Sequence, residues 1–175
     1  MPDFAYASLL RPVTAGDLPL LRRFHTEPGL VGLDWAGYRD PEIITRQFAE
    51  DGYLGDHGGR LMVDDGAAAG FVSFTARKFV NVGHWEIGIA LLPAWRGQGL
   101  GWRAQASFCS YLFENTPVQR IEASTHAENL AEQRSLEKAG FTLEGVLRAS
   151  EFRDGQWRDG YLYSRLRTDP GPVAG

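Results

Sequence analysis

Leu100, Ala104, Phe108 and Leu112 recur every four residues, and Ala106, Cys109 and Phe113 widen the same stripe. One apolar side at that period predicts an amphipathic helix over 102–115 that packs on a sheet. Earlier, Thr14-Ala15-Gly16-Asp17 reads as a capping-box entry to a helix running to Thr26, after a strand over 8–13. The stretch 28–40, with its glycines and the aromatic pair Trp35 and Tyr38, reads as a loop. Asp40-Pro41 then supplies an N-cap and a first-turn proline, and Ile44 and Phe48 mark the apolar face of a helix ending near Gly52. Asp64-Asp65-Gly66 joins strands over 60–63 and 70–77, and a central strand spans 83–92. Beyond the long helix come a strand over 120–125, a helix over 129–139 stopped by Gly140, and strands over 143–153 and 156–166 flanking Asp154-Gly155.

This order predicts an α/β fold of the α+β type, a mixed and mostly antiparallel sheet with helices on both faces. Only the central strand, its helix and the next strand form a parallel crossover. No repeat or linker interrupts it, so 1–168 reads as one domain and the Pro/Gly-rich 169–175 as a disordered tail.

With 175 residues, 43% apolar and 12% aromatic, the chain can bury a substantial single core. A net charge of −4 and a pI near 5.6 argue against a nucleic-acid partner and favour a cationic one. Asp34, Asp40, Glu42, Glu50, Asp51 and Asp56 concentrate that charge in one region. No stretch approaches the ~20 apolar residues of a membrane span, and no leader-like segment begins the chain, so a cytoplasmic location is expected. One cysteine, Cys109, rules out an internal disulfide, and its place on the apolar stripe makes it a core thiol.

The chemistry concentrates in Arg96-Gly97-Gln98-Gly99-Leu100-Gly101. Alternating glycines let the backbone turn tightly and aim successive N–H groups into one concavity, and the following helix adds its own N-terminal donors, a combination that binds phosphate. No Lys-Ser or Lys-Thr follows, which excludes a P-loop. Counting from Gly97, the sixth position is Trp102, which excludes a dinucleotide fingerprint.

The segment resembles the pyrophosphate loop of the GNAT acyltransferases. The likeness extends upstream to Trp85-Glu86-Ile87-Gly88-Ile89-Ala90-Leu91-Leu92-Pro93, similar to the central strand of that family. Downstream it takes in Asn129 and Glu137-Lys138-Ala139-Gly140-Phe141. The branch it is most similar to contains ribosomal-protein N-terminal acetyltransferases and many small-molecule and antibiotic acetyltransferases. The resemblance implies acetyl-CoA as co-substrate, no metal, and a pyrophosphate held by Arg96, Gly97, Gln98, Gly99, Leu100 and Gly101. It further implies that backbone N–H groups around Leu91 and Leu92 bind the pantetheine arm and polarise the acyl carbonyl. Asn129 would hydrogen-bond the pantetheine, and Arg134 and Ser135 would meet the phosphates.

Direct transfer from a thioester to an amine needs a neutral amine, donors for the oxyanion and a proton for the thiolate. The resemblance implies that Glu86 is the base, since related enzymes often carry a carboxylate there that accepts the amine proton. A strand glutamate among apolar neighbours is costly unless paired or wet, and a salt bridge or an exposed face is the alternative. The position where many relatives carry a tyrosine acid is Leu136. His84 and His126 read as structural. Asn129-Leu130-Ala131-Glu132 also reads as a helix cap, with Glu132 reaching back to the cap backbone. Asp34, Trp35 and Tyr38, on the loop that the family places over the acceptor, together with Trp85, are the candidate acceptor contacts. A small cationic amine, such as an amino-sugar antibiotic or a polyamine-like compound, is the expected substrate. The alternatives are a protein N-terminus or a non-catalytic acyl-CoA-binding module. Oligomeric state stays open, a homodimer included.

Overall fold

The computed structural model describes residues 9–35, 37–79 and 81–172. A capping box opens its first helix. Asp17 Oδ2 accepts from the Thr14 N–H and hydroxyl, each at 2.8 Å, and this turns β1 (Leu10–Pro12) through a single 3-10 turn into α1 (Leu18–Thr26). Ser8, at the start of the expected strand, lies outside the described residues. The expected loop contains one helical turn, α2 (Pro28–Val31), and a 3-10 turn over Gly32–Asp34. Asp40 Oδ1 then accepts from the Glu42 N–H at 2.9 Å to open α3 (Glu42–Asp51), and Gly52 closes it at a left-handed φ of 63°.

Two short strands, β2 (Leu54–Gly55) and β3 (Gly58–Asp64), precede the long β4 (Ala68–Phe79) and β5 (Val82–Leu91). After β5 come α4 (Leu100–Asn115), β6 (Arg120–His126), α5 (Leu130–Lys138), β7 (Thr142–Arg153) and β8 (Gln156–Leu166). The sheet order is β1-β3-β4-β5-β6-β8-β7, with β2 also pairing with β3. β5 and β6 run parallel, as the helical connection between them requires, and the other described pairs are antiparallel. In the tail, Asp169 Oδ2 accepts from the Leu166 N–H at 2.7 Å, while 173–175 lie outside the described residues.

Strand periodicity divides the interior in two. Val72 and Phe74 of β4 and Trp85, Ile87, Ile89 and Leu91 of β5 join Phe108, Leu112, Leu136 and Phe141 in the larger core, beneath α4 and α5. Met62 and Phe71 point the other way and meet Leu21, Ile44 and Phe48 beneath α1 and α3. Cys109 is fully buried in the larger core, and burial pushes its thiol up to about 12, as expected of an inert core thiol.

Candidate active site

The sheet opens between its two parallel strands. The Leu92 N–H donates to the Ala69 carbonyl at 2.8 Å, so the even-numbered backbone groups of β5 pair with β4 and the odd-numbered ones face β6. The register with β6 covers only Trp85↔Ile121 and Glu86↔Glu122. Beyond that point the N–H groups of Ile89 and Leu91 face a widening gap. This corrects the expectation for Leu92, whose N–H is held by β4.

At the end of that gap lies the glycine loop. Gly97 and Gly99 sit at φ 73° and 76°, a region that favours glycine, and Gly99 is the N-cap of α4. Leu100, Gly101 and Trp102 begin the helix with no carbonyl one turn before them, so their donors point outward beside the positive end of the dipole. Gln98 braces the loop by donating to the Ala94 carbonyl at 2.7 Å. Arg96 takes an unexpected position. Its Nε donates to the Leu91 carbonyl at 2.9 Å and its Nη2 to the Leu30 carbonyl, which fastens α2 to the end of β5. Both of these partners are neutral carbonyls, and the nearby carboxylate that feels its charge is Asp34.

α4 and α5 meet through polar groups. Gln105, 1% exposed, donates from Nε2 to Glu132 Oε1 at 2.9 Å and to Ser135 Oγ at 3.0 Å. Asn129 caps α5, accepting from the Glu132 N–H at 3.2 Å. The Glu132 carboxylate turns to Gln105 instead of reaching back to the cap backbone, which corrects the second half of that expectation. Burial pushes Glu132 up to about 8, against the Gln105 hydrogen bond and with help from the Asp34 charge. A Cβ on Gly101 would stand 3.1 Å from Ser135 Oγ, so this third glycine serves close helix approach. Arg134 is exposed, and Leu136 is wholly buried where the tyrosine acid would be.

Glu86 marks the last register position before the gap. Its Oε2 accepts from Arg77 Nε at 2.6 Å and its Oε1 from the Ser124 hydroxyl at 3.3 Å. Ala90 lies on the same sheet face, about 13 Å further along at the usual strand rise. Trp85, expected among the acceptor contacts, faces the opposite way. It packs edge-on against Phe74, with ring centroids 5.1 Å apart, in the core under α4.

Asp34 and Trp35 do meet on the Ala90 face. A cavity of about 140 Å³ there is lined by both, with Phe24, Phe71, Arg39 and Arg60 among the other walls. Tyr38 stacks edge-on against Trp35 at 5.3 Å but is 80% exposed, outside that lining. Asp34 Oδ1 lies 3.3 Å from His126 Nε2, and Nδ1 of the same ring meets Glu151. Arg153 donates to the Leu33 carbonyl, so arginines from two directions pin the loop that carries Asp34. Glu151, Gln105, Arg39 and Arg60 were not singled out from sequence, and His126 was read there as structural. Of these, His126 and Gln105 are buried polar side chains whose partners lie far along the chain.

The family model for the acetyltransferase (GNAT) domain matches residues 8–142. The chain belongs to the GNAT acetyltransferase family. A probable N-acetyltransferase of Bacillus subtilis, YjcK, is 36% identical over 83 residues, 47% of this chain and 46% of that protein. The uncharacterized N-acetyltransferase YnaD of the same organism is 25% identical over 62% of this chain and 63% of that protein. The matches thus span less than two thirds of either relative. Among solved structures, the spermidine N-acetyltransferase of Vibrio cholerae in complex with CoA and spermine superposes with a TM-score of 0.80. The identity is 19%, over 93% of this chain and 97% of that one. The ribosomal L7/L12 alpha-N-protein acetyltransferase RimL, in complex with coenzyme A, gives 0.75 at 21% identity, over 90% and 92%. These likenesses establish the GNAT fold. Among the described residues no helix is long and apolar enough to cross a membrane.

Proposed function

We propose that this GNAT acetyltransferase moves an acetyl group from acetyl-CoA directly to a primary amine of a small molecule bound on the Ala90 face of the sheet. The observation that carries the reading is the gap beside β5, with unpaired odd-numbered N–H groups along it, Glu86 where it begins and the glycine loop where it ends. The loop donors, the charge of Arg96 and the nearby Arg134 and Ser135 suit the phosphates, and Asn129 suits the pantetheine arm. An N–H of Ile89 or Leu91 would polarise the thioester carbonyl and receive the developing oxyanion. The ammonium first loses one proton to solvent, the neutral nitrogen attacks that carbon, Glu86 accepts a second proton from the intermediate directly or through water, the C–S bond breaks, and the thiolate takes a proton from water. An amine arrives as an ammonium ion, and Asp34 is the carboxylate placed to draw it in. The acceptors expected from the acidic loop, amino-sugar antibiotics and polyamine-like amines, supply such a group. A protein N-terminus supplies one as well, and the likeness to RimL favours keeping it as the second reading.

A thiol-release screen with acetyl-CoA against amines, amino-sugar antibiotics and peptides tests this. Turnover with a small amine is expected. Acetyl-CoA binding without release from any of them would leave an acyl-CoA-binding module.

A further inference from the structure

The Ala90 face carries more positive charge than an amine requires. Of the ionisable side chains lining its cavity, Asp34 is the single carboxylate, while His25, Arg39 and Arg60 are basic. Asp34 is engaged by His126, and the charges of Arg96 and Arg153 bear on it as well. Arg60 has no such counterpart. Its guanidinium lies 4.8 Å from the Phe71 ring centroid and 5.1 Å from that of Tyr53, and its Nη1 is buried without a hydrogen-bond partner. Among the described residues no carboxylate pairs with Arg60 or Arg39. Burial and the Arg39 charge both weigh against the charged form of Arg60, with Tyr53 opposing. His25 is buried too, with Nδ1 unpartnered, and burial followed by the charges of Arg60 and Arg39 holds its ring below the ordinary value. Three basic groups thus crowd one cavity and disfavour one another.

A cation taken out of water without a counter-charge destabilises the fold, and an anion seated against it relieves the strain. The planar fork of a guanidinium matches a carboxylate or phosphate at two points. We propose that this cavity receives an anionic group of the acceptor, a carboxylate or phosphate held by Arg60 and Arg39, so that the acceptor is an amine that also carries an anion. Phe24, Phe71 and Trp35 would enclose an apolar or aromatic portion between the two charged ends. The amine end rests on the acetyl-transfer reading above; the anion end stands on Arg60 and Arg39 and does not depend on turnover.

Two measurements separate the two. In thiol release, phenylalanine is compared with phenylalaninamide and phenethylamine, phosphoethanolamine with ethanolamine, and spermidine serves as the polycation. The anionic amines are expected to exceed their neutral counterparts by about 10- to 100-fold in kcat/KM, the usual scale of a charge-assisted hydrogen bond. Arg60→Gln should bring that ratio close to one, and Arg60→Lys should restore part of it. A ratio is insensitive to the fraction of protein folded, and Arg39→Gln, at an exposed position, offers a second variant. Calorimetry with N-acetylphenylalanine and its amide, which cannot react, tests the anion site without turnover. If the acid binds and no amine releases thiol, the anion site stands and acetyl transfer fails. If spermidine or the neutral amines turn over as well as the anionic ones, acetyl transfer stands and this proposal is overturned. Equal binding of acid and amide in wild type and Arg60→Gln also overturns it.

Discussion

Two glutamates on this molecule sit in opposite surroundings, one at the rim of the gap and one buried between α4 and α5. Glu86 accepts from the Arg77 guanidinium and the Ser124 hydroxyl at the rim of the gap. If it takes the proton of the amine, Glu86→Gln should lower turnover by about 10²-fold or more and leave acetyl-CoA affinity intact, with the loss shrinking at high pH. Stopped thiol release and calorimetry check the two halves, and near-normal turnover at neutral pH would make Glu86 a partner of Arg77 only. Glu132 is the reverse case. Its ordinary value is 4.5 and burial takes it to about 8, so folding favours the protonated carboxyl. A raised acid stabilises most below its unfolded value, and that contribution fades as pH climbs towards the folded one. Wild-type stability should therefore fall from about pH 4.5 to about pH 8 by an amount that Glu132→Gln abolishes. Urea midpoints at pH 5, 7 and 9 test this, and an unchanged slope in the variant would assign it to another group.

Among the elements, the junction of β5, α4 and α5 is the most demanding, and its glycines do separate jobs. Gly99→Val forces a branched side chain into φ 76° at the N-cap, where Trp102 Nε1 also lies 3.1 Å from the added Cβ. Gly101→Val leaves the turn alone and drives into Ser135. Both should weaken acetyl-CoA binding by calorimetry. The second should also lower thermal stability by separating α4 from α5, whereas Asn129→Ala should cost only about 1 kcal/mol, the usual scale of an N-cap. Unchanged binding in both glycine variants would overturn the phosphate-loop assignment. The helices α1, α3, α4 and α5 and the hairpin at Asp154-Gly155 could be read from sequence because caps, glycines and apolar period all lie within them. α2 and the 3-10 turn at Asp34 could not. They are held by Arg96 and Arg153 from distant parts of the chain, a tertiary cause without a local signal. Trp85 was misplaced for a related reason: a motif names the strand, but only the alternation of the sheet decides which face each side chain takes. Arg60 escaped notice because an isolated strand arginine is ordinary until its missing partner can be seen.

At the scale of the whole molecule the sheet is a partition, with the glycine loop and α4 on one side and the cavity lined by Asp34 and Phe24 on the other. Each side has its own core, and the two share the strands between them, so they should unfold together while affecting different ligands. Phe108, on the inner face of α4, is wholly buried with its ring centroid 5.4 Å from that of Phe74, and Ile44, on the inner face of α3, is wholly buried in the smaller core. Phe108→Ala should cost about 3–5 kcal/mol and Ile44→Ala about 2–5 kcal/mol, transfer and cavity terms combined. Against the 5–15 kcal/mol typical of a domain, roughly speaking, both variants should still fold at room temperature. Their ligand constants should then diverge. Ile44→Ala loosens the layer that positions Phe24 and the loop around Asp34, so it should raise the acceptor KM and spare that of acetyl-CoA. Phe108→Ala undermines α4, whose first turn carries the proposed pyrophosphate donors, so it should raise the acetyl-CoA KM and spare that of the acceptor. Steady-state kinetics with each substrate varied in turn, beside one urea melt per variant, settles the matter. Parallel changes in both constants would mean that the partition transmits strain across the sheet, and two separate unfolding transitions would mean that the cores are independent.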